Sequence, residues 1–81
     1  MARVVFTSSL LRYTGGTRDV EVDATSYREL AALLSKRFPE LTGAVIARYA
    51  VAIDGRVIQT PMLEQLGADS ELVFVAKIAG G

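Results

Sequence analysis

The first third of the chain alternates with a period of two. Val4 and Phe6, then Val20 and Val22, alternate along the chain, which is the pattern of strands buried on one face. Gly15 and Gly16 lie between the two runs and offer the positive φ angles that a reversal needs, so residues 3–23 predict a hairpin. The period then lengthens. Tyr27, Leu30, Leu34 and Phe38 recur at helical spacing, Ala31 and Leu33 widen the stripe, and Arg28, Glu29, Lys36 and Arg37 fall to its side. Ser26 with Glu29 three residues on reads as a capping box, and Pro39 stops the helix because the residue before a proline is disfavoured in the α region. After a loop near residues 41–44, Tyr49, Val51 and Ile53 alternate with Ala50 and Ala52. The Asp54 and Gly55 pair then turns the chain into Val57 and Ile58. Residues 59–70 carry Pro61 and Gly67 and read as an irregular connection with one helical turn, before a last strand over residues 72–78.

This order, two strands, a helix, two strands and a final strand, predicts an α+β domain in which one helix covers one face of one sheet of four to five strands. The second face is left open. Yet the last strand is apolar on both sides, with Leu72, Phe74, Ala76 and Ile78 on one and Val73 and Val75 on the other. Two readings of the open side stand together: exposed aliphatics of the ordinary kind, and a face on which Val73, Val75 and their neighbours meet a second protein.

Composition narrows the chemistry. With 81 residues and 51% hydrophobic positions the chain has the size and apolar content of one small folded domain. Nine basic and nine acidic residues cancel without any run of like charge, so the footprint of a nucleic-acid or anionic-membrane binder is missing. No uncharged stretch approaches a membrane span, and the N-terminus lacks the apolar core of a signal peptide; the cytoplasm is the expected location. There is no cysteine and no histidine, which removes disulfides, thiol nucleophiles, Cys/His metal sites and the commonest general base. The carboxylates fall at turns, helix ends and strand faces and read as solvated charge. Gly15 and Gly16 lack the Lys-Ser/Thr of a phosphate-binding loop and read as a turn.

The helix ending in "FPEL", the "AIDGRVI" turn and the terminal "IAGG" together resemble the ubiquitin-like sulfur carriers of the MoaD/ThiS family, over essentially the whole chain. The family often carries asparagine in place of Asp54, and its most diagnostic feature, a Gly-Gly end, is here Gly80 and Gly81. The resemblance implies a single β-grasp sulfur-carrier domain over residues 1–81, a mixed sheet wrapped round one helix, with the first and last strands side by side and a projecting tail over about residues 78–81. It implies a non-catalytic carrier that binds no cofactor of its own. A ubiquitin-activating-type partner, using ATP and magnesium, adenylates the Gly81 carboxylate; sulfur displaces AMP; the thiocarboxylate is then the sulfur donor. Gly80, Ala79 and Ile78 thread the partner's channel, and Val73, Val75 and Lys77 form the candidate docking face.

The molybdopterin synthase small subunit commonly ends in a "PVAGG"-like tail, whereas "VAKIAGG" here places Lys77 and Ile78 before the alanine. The "AGG" ending leans toward molybdopterin synthesis, with a synthase large subunit as acceptor. Thiamine thiazole and cysteine synthesis stand as alternatives, as do a ubiquitin-like protein modifier and a β-grasp binding module that is never activated. Lys77 reads as a solvated charge at the strand end or as a group that docks the tail.

The residues suit the carrier role. An α-carboxyl with a reference pKa of about 3.5 is an anion at neutral pH. Glycines at 80 and 81 have no Cβ and pass a narrow channel. Four extended residues from Ile78 reach about 13 to 14 Å. Without a cysteine, no side chain of this protein can hold a persulfide.

Overall fold

The computed structural model describes residues 1–77. Five strands form one mixed sheet: β1 (Ala2–Val5), β2 (Asp19–Val22), β3 (Tyr49–Ile53), β4 (Arg56–Ile58) and β5 (Glu71–Ala76), in the order β2-β1-β5-β3-β4. β1 and β5 run parallel at the centre, and the other pairs are antiparallel. The main helix, α1 (Tyr27–Arg37), lies across one face. This is the β-grasp arrangement, with the last strand held between the first and the third.

Local chemistry explains the element ends. The Ser26 hydroxyl accepts from the Glu29 amide at 3.2 Å, and the Glu29 carboxylate accepts from the Thr25 amide at 2.9 Å. The capping box therefore closes one residue earlier than its usual form. Phe38 leaves the helix with extended φ and ψ immediately before Pro39. Asp54 and Gly55 have φ of 51° and 87°, the double positive pair of a two-residue type I′ hairpin turn. Asp54 also exchanges two 2.9 Å bonds with Glu71, accepting its amide and donating to its carbonyl, which pins the turn to the start of β5.

The core lies between α1 and the sheet. Val4, Leu10, Leu30, Leu34, Leu41, Val51, Leu72 and Phe74 are fully buried. Phe74 anchors an aromatic group, stacked on Phe6 at 6.1 Å and tilted against Tyr27 at 6.5 Å, while Phe38 meets Phe6 edge-on at 5.8 Å. Dense packing of this kind leaves little room for substitution.

Four local expectations change. The β1–β2 hairpin is present, but its connection is no tight glycine turn: residues 8–13 form a 3-10 helix that carries Leu10 into the core. Gly15 and Gly16 do adopt positive φ, 64° and 88°, at the end of that helix. Leu33 does not widen the buried stripe; it is 38% exposed, and the face that the helix buries is made by Tyr27, Leu30, Ala31 and Leu34. The loop after Pro39 contains a short helix, α2 (Gly43–Ile46), capped by the Thr42 hydroxyl and burying Val45 and Ile46. The last strand begins at Glu71, one residue early, and its described part ends at Ala76.

Candidate functional site

Strand pairing arranges the open face in rows. Asp19, Val5, Val73, Ala52 and Val57 lie abreast across all five strands, with Ala50 beside Val75 in the next row toward the end of β5. In the other direction the row is charged: Arg3 stands between Glu21 and Glu71 and forms exposed ion pairs with Asp19 at 3.4 Å and Glu71 at 4.0 Å. The open face is thus split. Its apolar half, containing the half-buried Val73 and Val75, lies on the side from which β5 leads toward Lys77.

Cations frame that end of the sheet. Tyr49, opposite Ala76, bonds Ser9 at 2.7 Å through their hydroxyls. Arg12 donates to the Tyr13 hydroxyl at 3.0 Å and lies over its ring at 5.1 Å. That hydrogen bond, with the charge of Arg12 and a further contribution from Arg48, holds the Tyr13 phenol below its ordinary pKa. Arg12, Arg48 and Lys77 are all exposed, so the exit of β5 is electropositive although the chain as a whole is neutral.

On the opposite side of the sheet, α1, α2 and the connection after β4 enclose a groove of about 400 Å³. Its walls are small or apolar, among them Ala31, Ala32, Ile46, Ala47 and Met62, and Tyr27 and Tyr49 also line it. Lys77 lies at this groove as well. Alternation would have placed it with Val73 and Val75, but the strand ends at Ala76 and alternation no longer governs the next residue. Burial pushes the Tyr27 phenol up to about 12. Sequence periodicity could not reveal this groove, because its walls come from segments far apart in the chain.

The expected tail residues Ile78, Ala79, Gly80 and Gly81 lie outside the described residues. Among the described residues there is no group of His, Cys, Asp or Glu able to hold a metal, and no helix long and apolar enough to cross a membrane. Every carboxylate side chain there is exposed except the half-buried Glu64, which pairs with Arg56 at 3.8 Å. None stands in an apolar pocket of the kind that prepares a general acid or base.

No protein-family model matches the chain, and no curated protein matches it. Solved structures do. The chain superposes on one from the Amycolatopsis orientalis BexX/CysO complex with a TM-score of 0.78 and 17% identity, covering all of both chains. It matches SAMP1 from Haloferax volcanii with a TM-score of 0.70 and 20% identity, over 99% of this chain and 98% of that one. The solution structure of the Haloferax volcanii HVO 2177 protein gives 0.72 and 16%, over 99% of this chain and 85% of that one. At these identities the shared property is the fold, and it extends over the full length: the chain is a ubiquitin-like β-grasp domain, the fold that its resemblance to the MoaD/ThiS carriers implied.

Proposed function

We propose that this protein is a sulfur carrier acting through the carboxylate of Gly81. The observation that carries the reading is the position of β5. It is a central strand, paired with β1 on one side and β3 on the other, and it leads the chain toward "IAGG" between the apolar half of the open face and the cations at its end. A rigid base, a docking surface beside it and a narrow arm are what a carrier needs to present a carboxylate to another protein's active site.

In this reading a ubiquitin-activating-type enzyme seats Val73, Val75 and Ala52, with Arg12 and Arg48 meeting acidic groups at the rim. The Gly81 carboxylate attacks the α-phosphate of magnesium-bound ATP in that enzyme, and pyrophosphate leaves. Free sulfide attacks the acyl carbon and expels AMP, leaving a thiocarboxylate; where a persulfide is the source, its terminal sulfur attacks and expels AMP, and a thiol then reduces the resulting acyl disulfide, forming a new disulfide and releasing the thiocarboxylate. The carrier contributes no acid or base; all transition-state charge is stabilised by the partner. The sulfur acceptor is a synthase. Our reading, a molybdopterin synthase large-subunit-like enzyme, rests on the "AGG" ending alone.

Intact-protein mass spectrometry tests the proposal. After incubation with ATP, magnesium, sulfide and an activating enzyme, the chain gains the mass of sulfur in exchange for one oxygen, and the chain lacking Gly81 gains nothing. If enzymes that convert a known carrier leave this one unchanged, the carrier reading fails. If the chain appears instead on lysines of other proteins, its use is modification.

A further inference from the structure

Lys77, the last described residue, lines the groove formed by α1, α2 and the connection after β4, although the candidate docking face is on the other side of the sheet. The sequence just beyond it is therefore tethered to a residue of the groove lining. We propose that the groove is a binding site for a short apolar peptide bearing a carboxylate, and that its occupant is this chain's own segment of residues 78–81, held there until an activating enzyme takes it. The proposal rests on the reading of Gly81 as the carrier's terminal carboxylate.

Three observations support this occupant. The first is reach: four residues extend about 13 Å from Lys77, which itself lines the groove. The second is chemical fit. The walls are predominantly apolar and include Ala31, Ala32 and Ala47, small side chains that leave space for a branched one such as that of Ile78. The third is charge. The charged residues lining the groove are Arg28 and Lys77, with no carboxylate beside them, and among the described residues neither makes an ion pair. A carboxylate arriving on an apolar peptide meets the guanidinium of Arg28, which accommodates such a group through paired N–H donors.

Docking in this manner would keep the reactive end away from solvent and from the open face. It would also limit activation. If the tail is docked nine-tenths of the time, the form that the activating enzyme can bind is one-tenth of the total, and the apparent affinity falls about ten-fold. Filling the groove releases the tail and restores that factor.

The test is NMR on the isolated full-length chain. Nuclear Overhauser contacts from the Ile78 methyl groups to the Ala32 and Ala47 methyls are expected, together with an order parameter at the Ala79 amide above about 0.6, the level below which backbone is flexible. Ala47→Phe, at an exposed position, should remove those contacts, lower the order parameter, and raise the apparent affinity for the activating enzyme towards ten-fold; Arg28→Glu should act in the same direction. An Ala79 order parameter below that level in the unmodified chain, with groove resonances identical in the chain lacking residues 78–81, would overturn the proposal. Contacts that strengthen with protein concentration would also overturn it, by assigning the groove to the tail of a second copy. Because the NMR readout needs no sulfur chemistry, a docked tail on a chain that never forms a thiocarboxylate would reject the carrier function alone, and an undocked tail on a chain that does form one would reject only the docking.

Discussion

Replacing Tyr27 with phenylalanine removes one hydroxyl and one titration from a well-packed site, so it isolates a single free-energy term. The ring is 2% exposed and packs on Phe74. Burial raises its phenol from 10.0 to about 12, because a phenolate there would lose most of its hydration. Between those values the unfolded chain releases the proton and the native chain keeps it, so the unfolded state binds fewer protons and stability falls as pH rises. The contribution is present in full below pH 10 and is lost through pH 12. Each pH unit in that window costs about 1.4 kcal/mol, or about 2 to 3 kcal/mol across it. A domain of this length has about 4 to 12 kcal/mol in all, so the effect is large enough to measure. Tyr13, whose phenol Arg12 holds low, works in the opposite sense, which is why the comparison must be with Tyr27→Phe and not with the native protein at neutral pH. Urea unfolding followed by circular dichroism at pH 8, 10 and 11.5 provides the assay. At pH 8 the two proteins should agree within about 1.5 kcal/mol, the usual net worth of one hydroxyl's hydrogen bonding. By pH 11.5 the native protein should have lost about 2 kcal/mol more than the variant. Parallel loss in both would refute the claim that Tyr27 stays protonated by burial.

Phe74→Ala removes the ring shared by Phe6 and Tyr27 and should cost about 3 to 5 kcal/mol, read as a lower urea midpoint with an unchanged slope; a loss below about 1 kcal/mol would mean that the aromatic group is not the centre of the core. Ser26→Ala leaves the Glu29 amide without its cap and should cost about 1 kcal/mol, whereas Ser26→Asp should retain most of the stability. Val73→Asp, half-buried on the open face, should cost about 1 to 2 kcal/mol through lost apolar burial and strand propensity, leaving the domain folded. It should nonetheless weaken capture of an activating enzyme more than ten-fold in a pull-down titration; unchanged capture would exclude the open face as the docking surface.

The features that the sequence determined by itself are those decided within a few residues. Ser26 and Pro39 bound the helix because capping and the proline clash are local. Asp54 and Gly55 specify the β3–β4 hairpin because positive φ at two successive positions selects one turn. The alternation of Leu72 and Phe74 with Val73 and Val75 assigns each side chain to a face, and the absence of cysteine from the full sequence excludes a side-chain sulfur carrier. The resemblance to the MoaD/ThiS family implied the pairing of the first and last strands, and β1 and β5 do pair, in parallel.

Tertiary structure decided the rest. Leu10 and Leu33 are both leucines in plausible apolar settings, yet the first is fully buried and the second is 38% exposed, because burial depends on what arrives from elsewhere in the chain. Residues 8–13 wind into a 3-10 helix so that Leu10 can close the core, a demand that no local periodicity expresses. The division of the open face into charged and apolar halves follows from strand register. The groove exists only where α1, α2 and the 59–62 connection meet, and the position of Lys77 at that groove becomes evident only once the strand is seen to stop at Ala76. Local hydrogen bonding and backbone sterics can be read in sequence order. Packing between distant segments is settled by the free energy of the whole core, and it is this that put a groove and an apolar half-face at the two sides of one strand's end.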